Sequence, residues 1–536
     1  MATDAQSIAF NVYRDSVRLN ETPLTSVTNY TDVAGTTEAI YAIRAVINGV
    51  EQAAEGSVRA WSTPYKSIPI SRPAGGTTPD GVAYVYEAND GSVGDLDGDG
   101  EYEIVLKWQP TNAQDNANSG YTGNTLIDAY KLDGDGKAEV MLKTADGTVD
   151  GAGIVIGSAA ADYRNSSGYI LSGPEYLTVF DGKSGAALAT TDYVPARGTV
   201  PDWGDAYGNR VDRFLAGVAY LDGSRPSAVF TRGYYTRAVL AAWDWRDGKL
   251  TQRWVHDSPT AGSGAYGEGA HWLGVADVDE DGWDDIIYGA ATIKSDGTLL
   301  YRTGLGHGDA LHVGVHNPQR SGKQIFMVHE NPTVYGTGRG MEMHDAATSE
   351  ILWGYGSGAD IGRGVCFDID PAYPGNECWS SAGSFLISAA GEIISDSARP
   401  QFYNFGIWWD GDLSRELLDD TKIEKWVPST LSSTRLLSAA THGASSNNGT
   451  KKNPVLTADL FGDWREEVVW RNSTNTALLV FSTTTASSYR FPTLMHDPQY
   501  RVQVAAQNAG YNQPPHPSFF LGNDMAPVTW PAVQIP

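Results

Sequence analysis

Carboxylates recur at alternate positions ahead of short β-rich runs, a spacing that gathers hard oxygen donors around one point. The two fullest turns read Asp95-x-Asp97-x-Asp99-Gly100-x-x-Glu103 and Asp277-x-Asp279-x-Asp281-Gly282-x-x-Asp285. Weaker forms are Asp459-x-Phe461-x-Asp463-x-x-x-Glu467 and Asp368-x-Asp370 leading to Glu377. Calcium suits this pattern, because it accepts many oxygen ligands in a flexible arrangement, whereas magnesium keeps more of its water. The closing acid leads into a strand and not a helix, which separates these turns from an EF-hand. One such match is compatible with a solvated Asp-Gly turn; two full matches favour a cation, since so many carboxylates repel one another without one. The default role is structural, with the ion holding a turn and stabilising the folded state.

A second set of candidates consists of groups beside glycine: His271, His307, Arg363 in Gly362-Arg363-Gly364, and Lys451 in Asn448-Gly449-Thr450-Lys451. Taken alone, a loop histidine is usually inert and a loop cation usually faces solvent. Imidazole is a poor calcium ligand, so the histidines belong nearer to metal-bound water or substrate than to the metal itself. His329 is a weaker case of the same kind.

The elements that must position these groups are strands. The chain of 536 residues contains 60 glycines, 16 Trp, 27 Tyr and 14 Phe, and its Asp-Gly turns divide short alternating or β-branched runs. Examples are Tyr102–Trp108, Ser227–Thr231, Asp285–Tyr288 and Glu467–Trp470. Helical periodicity is hard to find, so the expected class is all-β. The acidic turn alternates with a second phrase, a strand closing on an aspartate turn before a Leu-Trp-like strand. It appears at Val179-Phe180-Asp181-Gly182, at Trp243–Gly248, and at Met343-His344-Asp345 ahead of Ile351-Leu352-Trp353. Recurrence at a spacing of several strands marks a propeller or solenoid. Both phrases are missing near the start, where Ser7–Tyr13 alternates. The expected division is therefore a small β-sandwich over residues 1–75 and a propeller over 76–536.

The balance of 38 Lys plus Arg against 64 Asp plus Glu gives a formal charge of -26. Nucleic acid and anionic membrane surfaces are therefore unfavourable partners. No apolar run approaches a membrane span, and Met1-Ala2-Thr3-Asp4 has no signal-peptide character. Cys366 and Cys378 can bond or remain two buried thiols, and spacing alone leaves both open.

The phrases Gly269-Ala270-His271-Trp272, Gly304–Ala310, Gly362-Arg363-Gly364, Asn448–Lys451 and Asp463–Glu467 resemble the rhamnogalacturonan lyases of polysaccharide lyase family eleven. Ser119–Asn124 and Lys143–Thr148 extend the resemblance, which runs from about Ile8 to Pro531. It implies an eight-bladed propeller with several calcium ions, acting on the rhamnose-galacturonate backbone of pectin by β-elimination. It also implies a secreted protein, expected to be a monomer and endo-acting, whose export signal is absent from this sequence. Elimination requires a base for the C5 proton and positive charge against the neighbouring carboxylate. On the resemblance, Lys451 is the first choice for base and Arg363 for the carboxylate, with His271 and His307 as further catalytic candidates. Base and acid roles can be exchanged. Asn116, Asn448, Gly449, Thr450 and Tyr511 carry over as sugar-binding residues.

One departure stands out. Lys131-Leu132-Asp133-Gly134-Asp135-Gly136 runs directly into Lys137-Ala138-Glu139, so Lys131 occupies the place of a first aspartate. A protonated lysine opposes a metal, which puts the calcium site at Asp133, Asp135 and Glu139, one blade and full activity in doubt. On the order of 30 residues of a blade of about 40 look to be missing, whether by natural deletion, engineering or omission of a loop. The alternatives to the lyase are a non-catalytic calcium-dependent propeller that binds glycans or proteins, and a hydrolase with paired carboxylates. The Arg363, Lys451 and His307 phrases argue against the first, and the spacing of nearly every acidic cluster as a metal loop argues against the second.

Overall fold

A computed structural model describes residues 8–54, 56–94, 102–115, 117–127, 139–356, 358–508 and 511–527. The expected ligands Asp95, Asp97, Asp99, Asp133 and Asp135, the sugar-binding candidate Asn116 and the irregular segment at Lys131 and Leu132 lie outside these residues.

Strands dominate, as expected. Near the start, Ala9–Arg14, Val17–Arg18, Ile40–Ile47, Val50–Glu51 and Val58–Arg59 form one five-stranded antiparallel sheet. Eight further antiparallel sheets account for most of the remaining strands among the described residues. The first is Tyr86–Gly94 with Glu103–Pro110 and Leu126–Ile127, and the second is Glu139–Ala145 with Glu175–Asp181 and Ala187–Asp192. The next five are consecutive four-stranded meanders that begin at Ala216–Ala219, Gly274–Ala276, Leu311–Gly314, Gly364–Phe367 and Phe405–Ile407. The eighth contains Leu456–Ala458, Glu467–Asn472 and Ala477–Phe481.

The last sheet takes its outer strand from far upstream. Tyr65–Pro69 pairs with Ala477–Phe481, with Tyr65 opposite Phe481 and Pro69 opposite Ala477. The expected boundary after residue 75 is thereby corrected to one before Tyr65. The acidic-turn phrase is missing from Tyr65–Pro69 because this strand completes a sheet begun elsewhere and has no turn of its own.

Burial falls from the first strand of a sheet to the last. Leu311–Gly314 is buried throughout, whereas Ile351–Tyr355 in the same sheet is half-buried. First strands of neighbouring sheets touch from the third sheet to the seventh, and the eighth touches the first. Short apolar runs such as Gly274-Val275-Ala276 suit a place packed on both faces.

The helix Pro498–Ala505 packs against first strands of the first, third, fourth and eighth sheets. Asp497 caps it by accepting from the Tyr500 amide at 2.9 Å, with Pro498 at the first turn. Gln499, Gln503 and Gln507 project along one face at helical spacing. Their amides donate to the carbonyls of Val313 at 3.4 Å, Val275 at 3.4 Å and Thr457 at 2.8 Å, each in a different sheet. The helix thus satisfies strand carbonyls that no neighbouring strand reaches. Sequence periodicity misses it because it is surrounded by protein, with polar and apolar side chains alike buried and no contrast between the two faces.

Cys366 and Cys378 are opposite each other on adjacent strands of the sixth sheet and are bonded. The bridge closes a loop with a sequence separation of 12. Replacing both cysteines by alanine is expected to lower unfolding free energy by about 3 kcal/mol through the unfolded chain's regained freedom, measured by urea titration. An unchanged midpoint would show that the strand pairing alone fixes this sheet.

Candidate functional site

The loops that enter the first strands of the fourth, fifth, sixth and eighth sheets carry His271, His307, Arg363 and Lys451. The first strands of the fourth, fifth and sixth sheets lie side by side, and the Lys451 loop reaches the same cluster through Tyr511. A parallel bridge between Ala270 and Gly308 holds the two histidine loops together. Glycine is required at 308, where a Cβ would collide with the Val328 carbonyl.

The histidines share one cluster with two tyrosines. Tyr234 Oη lies 2.9 Å from His271 Nδ1, and Tyr235 Oη 3.2 Å from His271 Nε2. His307 Nδ1–H donates to the Gly269 carbonyl, which leaves Nε2 with the ring's free lone pair. That Nε2 is 3.3 Å from Glu330 Oε2 and 3.9 Å from Asp309 Oδ1, while His271 Nε2 is 3.3 Å from Asp309. Burial pushes His271 down to about 2 and His307 down to about 4, and it pushes Asp309 up to about 6. The nearby positive charge of Arg213, Lys451 and Arg363 adds to the effect on His271. Both imidazoles are therefore neutral near pH 7, and the contacts to Asp309 are polar contacts between a neutral ring and a carboxylate.

Tyr511 joins this cluster to the cations. Its ring stacks on His271 with centroids 4.0 Å apart and an interplanar angle of 11°. Lys451 Nζ lies 3.7 Å from the Tyr511 centroid, and the Arg363 guanidinium carbon lies 5.0 Å from it. Arg363 is 8% exposed, and neither of its terminal nitrogens has a hydrogen-bond partner among the described residues. The planar fork of a guanidinium matches the geometry of a carboxylate. Burial lowers the Arg363 pKa from its ordinary value, and burial followed by Arg363's charge lowers that of Lys451. No carboxylate is in ion-pair contact with either cation among the described residues. On a chain of charge -26, this is a local inversion of sign.

The sugar-binding candidates divide. Gly449 and Thr450 are exposed in the short turn Gly449–Lys451. Asn448 is engaged at both ends of its amide: Oδ1 accepts from Asn89 at 3.2 Å, and Nδ2 donates to Asp90 Oδ1 at 2.6 Å. These bonds hold its loop in place. Asp90, which sequence reading missed, also accepts from Asn512 Nδ2 at 3.3 Å. This buried carboxylate therefore ties together the loop of Lys451 and the neighbour of Tyr511. Burial raises Asp90 to about 6, opposed by Lys107 at 3.9 Å and by the two amides. Only its location in the fold distinguishes it from other aspartates. His329 is fully buried, with Nε2 3.5 Å from Glu342, and takes a structural place beside the cluster.

Three groups bring cation-binding atoms within 4.8 Å of one another among the described residues: His271, His307 and Asp309; Asp277, Asp279 and Asp285; and Asp410, Asp412 and Glu416. The second group offers only oxygen, its Asp279 Oδ1 is buried without a partner, and burial raises Asp285 to about 7. Those donors fit a hard divalent ion. Asp281 stands aside, its Oδ1 accepting from the Trp283 amide at 3.0 Å. Lys294 Nζ approaches this turn at 2.6 Å from Asp279. The third group was missed because its acids follow a different spacing; Lys425 Nζ touches all three, at 2.5, 2.8 and 2.8 Å. The first group mixes two nitrogens with oxygen, a set less suited to calcium.

The other expected turns do not bring three such atoms within 4.8 Å of one another among the described residues. Asp368 accepts from Asn523, Asp370 from the Ala372 amide, and Glu377 from the Ile369 and Asp370 amides. Asp463 pairs with Arg465, Glu467 accepts from Leu460, Phe461 and Ser482, and Asp459 from Trp464 and Leu494. Even so, Glu377 Oε1 and Asp459 Oδ1 remain buried without partners. Glu103 and Glu139 each open a strand, and the other acids of their turns lie outside the described residues.

Replacing Asp90 with alanine is expected to lower kcat at least about tenfold by loosening Lys451 and Tyr511, with Asp90→Asn losing far less because its carbonyl still accepts. Steady-state kinetics on both variants checks this, and equal losses would deny Asp90 its positioning role.

The description "Rhamnogalacturonan lyase family 11, C-terminal domain" matches residues 65–135 and 130–531, and "Rhamnogalacturonan I lyases beta-sheet domain" matches residues 1–61. The two segments of the first match meet at the irregular turn near Lys131. The chain is 52% identical to the Bacillus subtilis rhamnogalacturonan endolyase YesW over 565 positions, covering all of this chain and 90% of YesW. That alignment is 29 positions longer than the 536 residues here, in keeping with an internal segment present in the relative. Identity to the B. subtilis rhamnogalacturonan exolyase YesX is 51%, covering all of this chain and 94% of YesX. The YesX crystal structure superimposes with a TM-score of 0.95 over 99% of this chain and 94% of YesX. A Bacillus licheniformis PL11 rhamnogalacturonan lyase structure is 54% identical, with a TM-score of 0.93 over 98% of this chain and 94% of that one. The chain accordingly belongs to rhamnogalacturonan lyase family 11.

Proposed function

We propose that this protein cleaves the rhamnose-galacturonate backbone of rhamnogalacturonan I by β-elimination, with Lys451 and Arg363 as the principal catalytic groups. The observation that carries the reading is the pair of cations on Tyr511, one buried without a partner and one with a lowered pKa. Arg363 receives the galacturonate carboxylate and lowers the cost of charge developing beside C5. Lys451, as the free amine, takes the C5 proton. The C–H pair becomes the C4–C5 double bond, and the C4–O bond breaks with its electrons on the oxygen, which gains a proton as it departs. Tyr511 supports a sugar face, and Thr450 and Gly449 offer polar contacts at the rim.

The eight sheets act in this reading as blades of a propeller with its innermost strands around the helix Pro498–Ala505, and the N-terminal sheet is a sandwich-like flank. Calcium is the ion we assign to Asp277, Asp279 and Asp285, where it would neutralise crowded carboxylates and hold the turn. The disulfide favours a secreted protein, since such bonds persist in oxidising compartments. We assign a monomer and internal cleavage, with product lengths over time separating endo from exo action.

Rhamnogalacturonan incubated with the protein is expected to gain ultraviolet absorbance from the new double bond, and a chelator is expected to suppress the gain. Reducing ends without that absorbance would mean hydrolysis, and binding without either would mean a glycan-binding module.

Lys451→Ala and Arg363→Leu are each expected to lower kcat at least about a thousandfold. Arg363→Leu should leave thermal stability unchanged or higher, because it removes a buried charge that has no partner. Wild-type activity should rise with pH as Lys451 loses its proton, with a midpoint below that of an ordinary lysine. Collapse of the melting temperature in both variants would assign these residues to the scaffold instead.

A further inference from the structure

Two more arginines lie beside the cluster with no acid in contact. The guanidinium carbons of Arg210 and Arg213 are 4.4 and 5.8 Å from the ring centroid of Tyr235. Among the described residues, no carboxylate is in ion-pair contact with either. The adjacent acid, Asp212, is turned to Arg232 at 3.8 Å. Asp205 is committed to backbone, its oxygens accepting from the amides of Tyr207, Gly208 and Arg210 at 3.2, 2.9 and 2.8 Å. Those bonds fasten the loop that carries Arg210. Arg213 Nη2 donates to Asn209 Oδ1 at 2.8 Å, while its Nε is buried without a partner. Glu330 feels the charge of Arg210, but its own contact is His307.

This arginine pair adjoins the cluster through a shared ring. Tyr235 reaches His271 by its hydroxyl, and its ring lies 4.3 Å from that of His307. His271 in turn stacks on Tyr511, the floor beneath Arg363 and Lys451. Two cationic stations are thus linked by a run of aromatic rings, each station resting on a tyrosine. An alternating polymer of neutral sugar and sugar acid presents its carboxylates in the same fashion, as anions separated by a ring with no charge.

We propose that Arg210 and Arg213 form a second carboxylate subsite, which takes a further galacturonate of the same chain when one galacturonate lies at Arg363 and Lys451. The proposal rests on the lyase reading for the identity of the ligand, and on the unpaired arginines for the existence of the site. Guanidinium is suited to the task because its fork matches a carboxylate.

Binding is measured by calorimetry in the Lys451→Ala background, which prevents turnover, with saturated rhamnogalacturonan oligosaccharides containing one or several galacturonates. Arg210→Gln together with Arg213→Gln is expected to weaken the longer ligand about tenfold or more and the single-galacturonate ligand about twofold or less. Arg210→Lys with Arg213→Lys should fall between, since charge remains while the fork is lost. Equal weakening of both ligands, or of neither, overturns the subsite. Absence of an unsaturated product from the wild type would sink the lyase reading independently, because length-dependent binding is read without catalysis.

Discussion

The structure depends on positive charge drawn partly or wholly out of water with no carboxylate in ion-pair contact among the described residues, Asp309 acting on it only from a distance. Arg363 is buried on Tyr511 with its terminal nitrogens unpartnered, and Lys451 shares the same ring. Withdrawing a guanidinium from solvent costs several kcal/mol without an opposing charge. A fold tolerates that cost only where the surroundings fix the group and a ligand supplies the missing anion. An overall charge of -26 sharpens the point, since acids are abundant in the chain and none among the described residues is in ion-pair contact here.

The scaffold fixes those groups by bringing strand beginnings together. Each candidate side chain sits just ahead of the first strand of a sheet, so the packing of first strands determines the distances between residues far apart in sequence. Gln499 and Gln503 on Pro498–Ala505, with Gln507 in the turn just after it, tie three of those strands to one segment. Asp90 then links two loops from different parts of the chain, accepting from Asn448 and Asn512 with a single oxygen. Binding energy spent on a sugar acid can act on chemistry only if these groups do not relax, and buried amide-to-carboxylate bonds resist relaxation.

The acidic turns solve the opposite problem. Asp277, Asp279 and Asp285 crowd together with their charge only partly offset by Lys294, and burial raises Asp285 well above an ordinary carboxylate. Around Asp410, Asp412 and Glu416, Lys425 contacts all three acids. Two turns with similar acids therefore differ in how fully a lysine meets their charge. Alternate spacing alone does not reveal that difference, because the lysine arrives from a neighbouring strand.

Sequence by itself determined the all-β class, the repeating acidic turns and the family, because each is written in local spacing or in short ordered phrases. It also singled out Arg363, Lys451, His271, His307 and Tyr511. It did not determine that Tyr65–Pro69 completes the last sheet, that Asn448 turns to Asp90, or that a short helix sits among the inner strands. Nor did it distinguish the Asp277 turn, which gathers, from the Asp459 and Asp368 turns, whose oxygens are largely taken by amides and side chains. The tertiary structure decided these, since each depends on a partner hundreds of residues away or on competition for one oxygen atom, and neither leaves a local pattern.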